Sequence, residues 1–147
     1  MVEDTSGGKM SIAELEAFLH AEFPQVFRTD GNITIESADG KSCRLRQQFD
    51  ERMLRPGGTV SGATLMALAD FAMYVVLLSA IGPVGLAVTT NLNINFLRKG
   101  AAGADVLAEA RLLKLGRRLA VGEVTLLSGE SPDPIAHVTA TYSIPKT

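Results

Sequence analysis

The sequence predicts an α+β domain in which a curved antiparallel sheet wraps around one long buried helix. The stretch from Ser61 to Ala80 is apolar on all sides, which is typical of a helix inside a core. Four segments with alternating apolar and polar residues follow it, and alternation predicts strands. Strands that are segregated from helices favour α+β over a parallel doubly wound sheet. A curved sheet is the simplest cover for a helix that is apolar all round.

The composition predicts one domain with a sizeable core, since the chain has 147 residues, 46% hydrophobic and 20% charged. A net charge of −2 gives no electrostatic reason to expect nucleic acid or an anionic membrane as partner. The single cysteine, Cys43, excludes an intramolecular disulfide and makes the cytoplasm the expected location. With only two histidines beside it, no metal site is expected.

The first ten residues are polar and lack the apolar core of a signal peptide. We therefore expect residues 1–10 to form a flexible tail and residues 11–147 to form a single domain. The first helix is predicted to begin after Ser11, because Ser11 and Glu14 have the spacing of a capping box. It ends at Phe23-Pro24, and we expect it to pack at the edge of the domain. Its apolar face contains Ile12, Leu15, Phe18 and Leu19.

A hairpin is predicted next, because Asp30-Gly31 and Asp39-Gly40 have the chemistry of turns. Its strands are expected over residues 32–36 and 43–49, and a loop is expected over residues 50–59. After the long helix the alternating segments are Val84–Leu97, Gly103–Leu115, Leu119–Leu127 and Ile135–Ile144.

One stretch, Phe71–Val88, carries no charge over 18 residues, the length at which a transmembrane helix has to be considered. Gly82, Pro83 and Gly85 interrupt it, and proline stops a helix. We therefore predict a buried helix followed by a strand, and no membrane partner.

Asp70 is the residue in the long helix that needs an explanation. A carboxylate loses hydration among Met66, Phe71 and Tyr74 unless it is paired, protonated or exposed to a cleft. It is either a buried acid bonded to a strand amide or hydroxyl, or a catalytic group. No second carboxylate lies near it in the sequence, so a carboxylate pair within one chain is not predicted.

A glycine-rich loop, Gly57 to Gly62, leads into the same helix. Glycines before a helix allow a ligand to approach free backbone N–H groups at the positive end of the helix dipole. The alternative is an ordinary N-cap formed by Thr59 or Ser61. The loop lacks the Gly-Lys-Ser/Thr ending of a phosphate loop and the Gly-x-Ser-x-Gly pattern of a serine hydrolase.

Three strings, RPGGTVSGATLMALAD, AVTTNLNINFLRKGAAG and KLGRRLAVGEVTL, resemble in order and spacing the hotdog-fold acyl-CoA thioesterases of the PaaI-like group, in the 4-hydroxybenzoyl-CoA thioesterase superfamily. The resemblance implies that Asp70 is the catalytic acid, as nucleophile or as general base for water. It also implies that the N–H of Gly62 contacts the thioester oxygen and that Thr89 helps to hold water. Two departures stand out: Ser61 replaces the family histidine, and Arg55 stands where relatives often have an asparagine.

The separation of Gly62 and Asp70 along the helix constrains the mechanism that the resemblance implies. Gly62 and Asp70 are eight residues apart, which is about 12 Å along a helix axis. One thioester carbon cannot contact both, because reacting groups lie roughly 3 Å from it. If both residues act on one substrate, as the resemblance implies, they must come from two chains, and the resemblance likewise implies a homodimer. We further expect a dimer of dimers.

Several polar residues are candidates for binding coenzyme A, which is part of the substrate, and no separate cofactor is expected. Asn91, Asn93 and Asn95 share one strand face, either as a polar surface, as a ladder between subunits or, at Asn91, as a contact to the pantetheine arm. The phosphates are expected near Arg98 and near Arg117 and Arg118, since arginine binds phosphate well. Arg55 and Ser61 complete the predicted binding residues.

The leading hypothesis is therefore a thioesterase that hydrolyses a small or medium acyl- or aryl-CoA. A hydratase needs a catalytic histidine, and neither His20 nor His137 lies in the glycine loop or the long helix. A non-catalytic acyl-CoA-binding or sensing protein remains the alternative, because Ser61 and Arg55 depart from the family pattern. A pure binding protein has no need of a carboxylate at the position of Asp70.

Overall fold

Helix α2, Gly62–Ile81, lies against a six-stranded antiparallel sheet in the computed structural model, which describes residues 9–28 and 31–146. The sheet consists of β1 (Ile33–Ala38), β2 (Ser42–Gln47), β5 (Val88–Phe96), β6 (Val106–Leu115), β7 (Leu119–Ser128) and β8 (Ala136–Ser143). Its strand order is β1-β2-β6-β7-β8-β5. The predicted α+β class and the curved sheet around a long helix are confirmed.

Packing explains why α2 is apolar on all sides. The helix contacts five of the six strands, and twelve of its residues are buried. Gly122 on β7 lets helix α2 lie close to the sheet, because a Cβ at this position would be 2.6 Å from the Sδ of Met73 and 2.9 Å from the main-chain oxygen of Arg111. By length and composition α2 is able to span a membrane, but two thirds of its most apolar window is buried inside this fold.

Helix α1, Ile12–Glu22, packs on β1 and α2 at the edge of the domain, as predicted. Its capping box is present in both directions, from the Glu14 N–H to Ser11 and from the Ser11 N–H to Glu14. Leu15 and Leu19 are fully buried on its inner face. Residues 1–8 of the predicted tail lie outside the described residues. Its last two residues belong to the fold, because Met10 is buried and the Lys9 N–H donates to the main-chain oxygen of Ser79.

Several predicted boundaries need correction. The strand expected from Val84 begins at Val88, because residues 84–87 form a turn in which the N–H of Ala87 donates to the oxygen of Val84. The loop expected over residues 50–59 contains a 3-10 turn, Glu51–Met53, and a short hairpin of β3 (Leu54–Arg55) and β4 (Thr59–Val60). The predicted turn at Asp30-Gly31 falls partly outside the described residues.

The other predicted strand boundaries differ from the observed ones by a few residues. The hairpin strands expected over 32–36 and 43–49 correspond to β1 and β2. The third and fourth alternating segments match β7 and β8 to within one residue at each end, whereas β6 begins at Val106 and not at Gly103. Ala101–Ala104 instead form a turn, closed by a hydrogen bond from the Ala104 N–H to the Ala101 oxygen.

Candidate active site

Asp70 lies on the half-exposed side of α2 and is held by two hydroxyl groups. The Oγ1 of Thr89 donates to its Oδ1 at 2.6 Å. The hydroxyl of Tyr142 lies 2.9 Å from the same Oδ1 and 3.0 Å from the main-chain oxygen of Asp70. Within residues 9–28 and 31–146, no hydrogen bond reaches the other carboxylate oxygen, Oδ2. The carboxylate is therefore anchored through one oxygen and open at the other.

The strand register explains how the two hydroxyls meet. Strands β5 and β8 pair antiparallel with Thr89 opposite Tyr142, so both side chains lie on the face of the sheet that α2 covers. A bulge at Thr90 follows directly in β5. The ring of Tyr142 also packs on Tyr74 of α2, with the ring centroids 6.2 Å apart. The two strands thus present two hydroxyls to one point on the helix.

Asp70 borders a cavity of about 530 Å³. Burial raises the pKa of the Tyr142 hydroxyl, which therefore remains a hydrogen-bond donor. Burial likewise raises the pKa of Tyr74, and the nearby carboxylate of Glu22 adds to this effect. The other residues lining the cavity are Phe23, Gln25, Gly85, Ala87, Val88 and Thr89.

Asp70 is thus bonded to strand hydroxyls, as the first of the two interpretations expects, and it also faces a cleft, while its catalytic role stays a prediction. Glu22, at the end of α1, is a second carboxylate on the rim of this cavity. Sequence analysis missed Glu22 because it lies far from Asp70 in the chain. It also missed Tyr142, and the only available signal was a polar aromatic residue at a core-facing position of the last predicted strand.

The start of α2 offers free backbone donors. Ser61 is the N-cap, and its side chain accepts from the N–H of Thr64 at 3.1 Å. The N–H of Ser61 itself donates to the oxygen of Met53. In the described part of the chain, the N–H groups of Gly62 and Ala63 have no acceptor. They are therefore available to an incoming carbonyl oxygen.

The predicted N-cap at Ser61 is confirmed, and ligand binding at the start of α2 stays a prediction. Ser61 caps the helix, whereas the first two residues after it keep their donors free. Gly62 also lies against an aromatic ring, since a Cβ at this position would be 3.0 Å from the ring of Phe96. Gly57 and Gly58 have φ angles of +102° and +81°, which only glycine adopts readily, and they form the turn between β3 and β4.

Three predicted binding residues lie away from Asp70 in this protomer. Arg55 is exposed on β3 next to the glycine turn. Asn91 lies on the face of the sheet opposite α2, where it accepts from the side chain of Asn93 at 2.8 Å. The guanidinium of Arg98 donates to the main-chain oxygen of Pro134. Their roles as substrate contacts stay predictions.

Arg117 and Arg118 line a cavity of about 440 Å³ near the C-terminal end of α2. Lys146 is a third cation in its wall, and Ile81, Val84, Ile144 and Pro145 supply apolar surface.

The part of the chain that the structure describes contains no cluster of three His, Cys, Asp or Glu side chains that would hold a metal ion.

Residues 57–135 match the profile of the family described as Thioesterase superfamily. A crystal structure from Silicibacter sp. TM1040, provisionally named a thioesterase, is 44% identical with a TM-score of 0.85. The alignment covers 95% of this chain and 94% of the other.

Two more distant structures share the hotdog fold. The Escherichia coli PaaI protein of the phenylacetic acid degradation operon is 23% identical with a TM-score of 0.70, over 89% of this chain and 90% of that one. A Streptococcus mutans protein solved with bound acetyl-CoA is 23% identical with a TM-score of 0.71, over 82% and 94% of the two chains.

Proposed function

The chain belongs to the thioesterase superfamily, and on that premise we propose that it hydrolyses the thioester of a small or medium acyl- or aryl-CoA. The observation that carries this proposal is the carboxylate of Asp70, anchored at Oδ1 by Thr89 and Tyr142 and open to a cavity. Binding alone gives no reason to keep a carboxylate in this position. The choice of coenzyme A draws support from the Streptococcus mutans neighbour, which binds acetyl-CoA.

The reaction needs a group that polarises the thioester and a group that delivers the nucleophile. In this proposal the free N–H of Gly62 donates to the carbonyl oxygen, where negative charge develops in the transition state. Asp70 either removes a proton from an attacking water or attacks the carbonyl carbon itself. In both cases the C–S bond breaks to release the thiolate of coenzyme A, which takes up a proton, and in the second case water then hydrolyses the mixed anhydride.

The proposed site is shared between two protomers, since Gly62 and Asp70 are about 12 Å apart along one helix. Strand β5 is an edge strand of nine residues, and edge strands are normally covered in native proteins. Thr89 beside Asp70 is at one end of β5, and Phe96 beside Gly62 is at the other. An antiparallel pairing of two β5 strands about a two-fold axis brings Asp70 of one protomer to Gly62 of the other.

The apolar surface around β5 supports this dimer. Leu86 and Val88 at the start of the strand and Phe96 and Leu97 at its end are all more than half exposed, with Leu86 at 81%. Met66, on the exposed side of α2, is 42% exposed. Exposed apolar patches of this kind mark interaction surfaces. Association of two such dimers would give the dimer of dimers that we expect from the sequence.

The experiment that tests the function is steady-state release of free thiol from a panel of aryl- and alkyl-CoA thioesters. We expect turnover of at least one member, with a preference set by the depth of the acyl pocket. Ser61 and Arg55 favour the second candidate, an acyl-CoA-binding or sensing protein, because the Ser61 hydroxyl is engaged in capping α2. Tight binding without turnover across the panel would support that candidate and reject hydrolysis.

The nucleotide of coenzyme A is proposed to bind at Arg117 and Arg118. Their cavity begins at Ile81, about 16 Å along α2 from Asp70, a length comparable to that of the extended pantetheine arm. Three cations, with Lys146 as the third, match the phosphates of the nucleotide.

Replacing both Arg117 and Arg118 by Ala is expected to raise KM for acyl-CoA about tenfold, because charge-assisted hydrogen bonds to phosphate are lost. With the N-acetylcysteamine thioester of the same acyl group, which has no nucleotide, KM should stay unchanged. Lys41→Ala, at the β1–β2 turn, is the control for loss of surface charge. An equal rise in KM for both substrates would place the nucleotide elsewhere.

A further inference from the structure

Tyr142 has no assigned role in the proposed reaction, yet it makes the most buried contact with the acid. It is 3% exposed, and its hydroxyl reaches both the Oδ1 and the main-chain oxygen of Asp70. The ring is fixed by packing on Tyr74, whose own hydroxyl donates elsewhere, to the main-chain oxygen of Gly85 at 3.0 Å. Tyr142 is therefore a rigid donor aimed at one carboxylate oxygen.

We propose that Tyr142 is a positioning residue that acts with Thr89 to fix Oδ1 of Asp70, so that the carboxylate keeps one orientation and only Oδ2 reacts. The proposal rests on the proposed thioesterase function. Two donors on one oxygen stop rotation of the carboxylate, so Oδ2 keeps a single orientation in the cavity.

Few titratable groups lie near Asp70. Besides Tyr142 and Tyr74, the only titratable group that lines the described part of the cavity is Glu22, at the end of α1. The cavity wall contains no cation in that part, so no ion pair is available to orient the carboxylate. The hydroxyl groups of Tyr142 and Thr89 are therefore the groups that orient it.

The test compares kcat and KM of Tyr142→Phe and the wild type, with the best thioester of the panel. Removing one donor that orients the carboxylate should lower kcat about tenfold and leave KM within about twofold of the wild-type value. Thr89→Val should lower kcat in the same way, whereas Thr89→Ser, which keeps the hydroxyl, should restore it.

A matched variant separates positioning from a general loss of hydroxyl groups near β5. Thr90→Val removes a hydroxyl from the adjacent strand position, where it donates to the oxygen of Thr141. Its kcat should equal that of the wild type. If Tyr142→Phe also keeps the wild-type kcat, or raises KM as much as it lowers kcat, Tyr142 is only structural and the proposal is overturned.

A second readout does not depend on turnover. Crystal structures of the wild type and of Tyr142→Phe show the orientation of the Asp70 carboxylate. A carboxylate that turns or becomes disordered in Tyr142→Phe supports the proposal, and an unchanged orientation overturns it. A wild-type protein that hydrolyses no thioester would reject the proposed function, while these two structures would still decide the role of Tyr142.

Discussion

Replacement of Asp70 by Asn is expected to lower kcat for thioester hydrolysis by roughly 10²- to 10⁴-fold, the range associated with loss of a general base. An amide supplies neither a base nor a nucleophile at neutral pH. Asn has the same shape, and its side-chain oxygen can still accept from Thr89 and Tyr142, so the fold and acyl-CoA binding should survive. Thiol release gives kcat, and calorimetric titration with a non-hydrolysable thioether analogue gives the affinity.

The matched control is Glu130→Gln, which removes one negative charge from an exposed position far from the cavity in the chain. Its kcat should equal that of the wild type. A variant Asp70→Asn that turned over thioester at the wild-type rate would eliminate Asp70 as nucleophile and as base, whatever fold the chain has.

Replacement of Gly62 by Pro is expected to lower kcat by roughly 10²- to 10³-fold, because it deletes one donor to the developing oxyanion. Proline is well tolerated at the first position of a helix, where its missing N–H has no helical acceptor. The preceding residue, Ser61, already has the extended conformation that proline requires, with φ −69° and ψ 148°. The N–H of Ala63 remains, so some activity should persist.

Gly62→Ala separates the donor from the added bulk. Both substitutions introduce a Cβ that contacts the ring of Phe96, which is half exposed and able to yield. Only the proline variant loses the N–H. If the alanine variant were as impaired as the proline variant, crowding at Phe96 and not the lost donor would explain the effect.

Refolding the two impaired variants together tests whether one active site is built from two protomers. When Asp70→Asn and Gly62→Pro protomers are unfolded and refolded together, about half of the dimers should be mixed, each with one intact site built from both chains. Activity should recover to about a quarter of that of the wild type. Sites contained within single chains would stay inactive in every mixture.

Helix α2 and the glycine-rich loop that leads into it were predictable from the sequence, because the residues that define them are neighbours in the chain. An uninterrupted apolar run, a capping serine and a stop at Gly82 define α2 from neighbouring residues alone. Asp70 was conspicuous for the same reason, as a charged residue inside that run. The dimer stays a prediction, which combines the roles that the family resemblance implies for Gly62 and Asp70 with the fixed separation of two positions on one helix.

The partners of Asp70 were less predictable because they depend on which strands pair. Tyr142 lies 72 residues from Asp70, and it meets Thr89 only because β5 pairs with β8 and not with its neighbour in the chain, β6. Alternation alone does not reveal strand order. The turn at residues 84–87 was mistaken for strand because its apolar residues continue the alternating pattern.

The proposed pairing of two β5 edges would have a consequence for how the protein behaves in solution. If the site is divided between two protomers, it exists only in proportion to the amount of dimer, and its specific activity is then expected to depend on protein concentration. Below the dissociation constant of the dimer, activity falls with the square of the total concentration, whereas above that constant it rises in simple proportion. The amount of protein that a cell makes then acts as a control on the reaction, without any separate regulatory site.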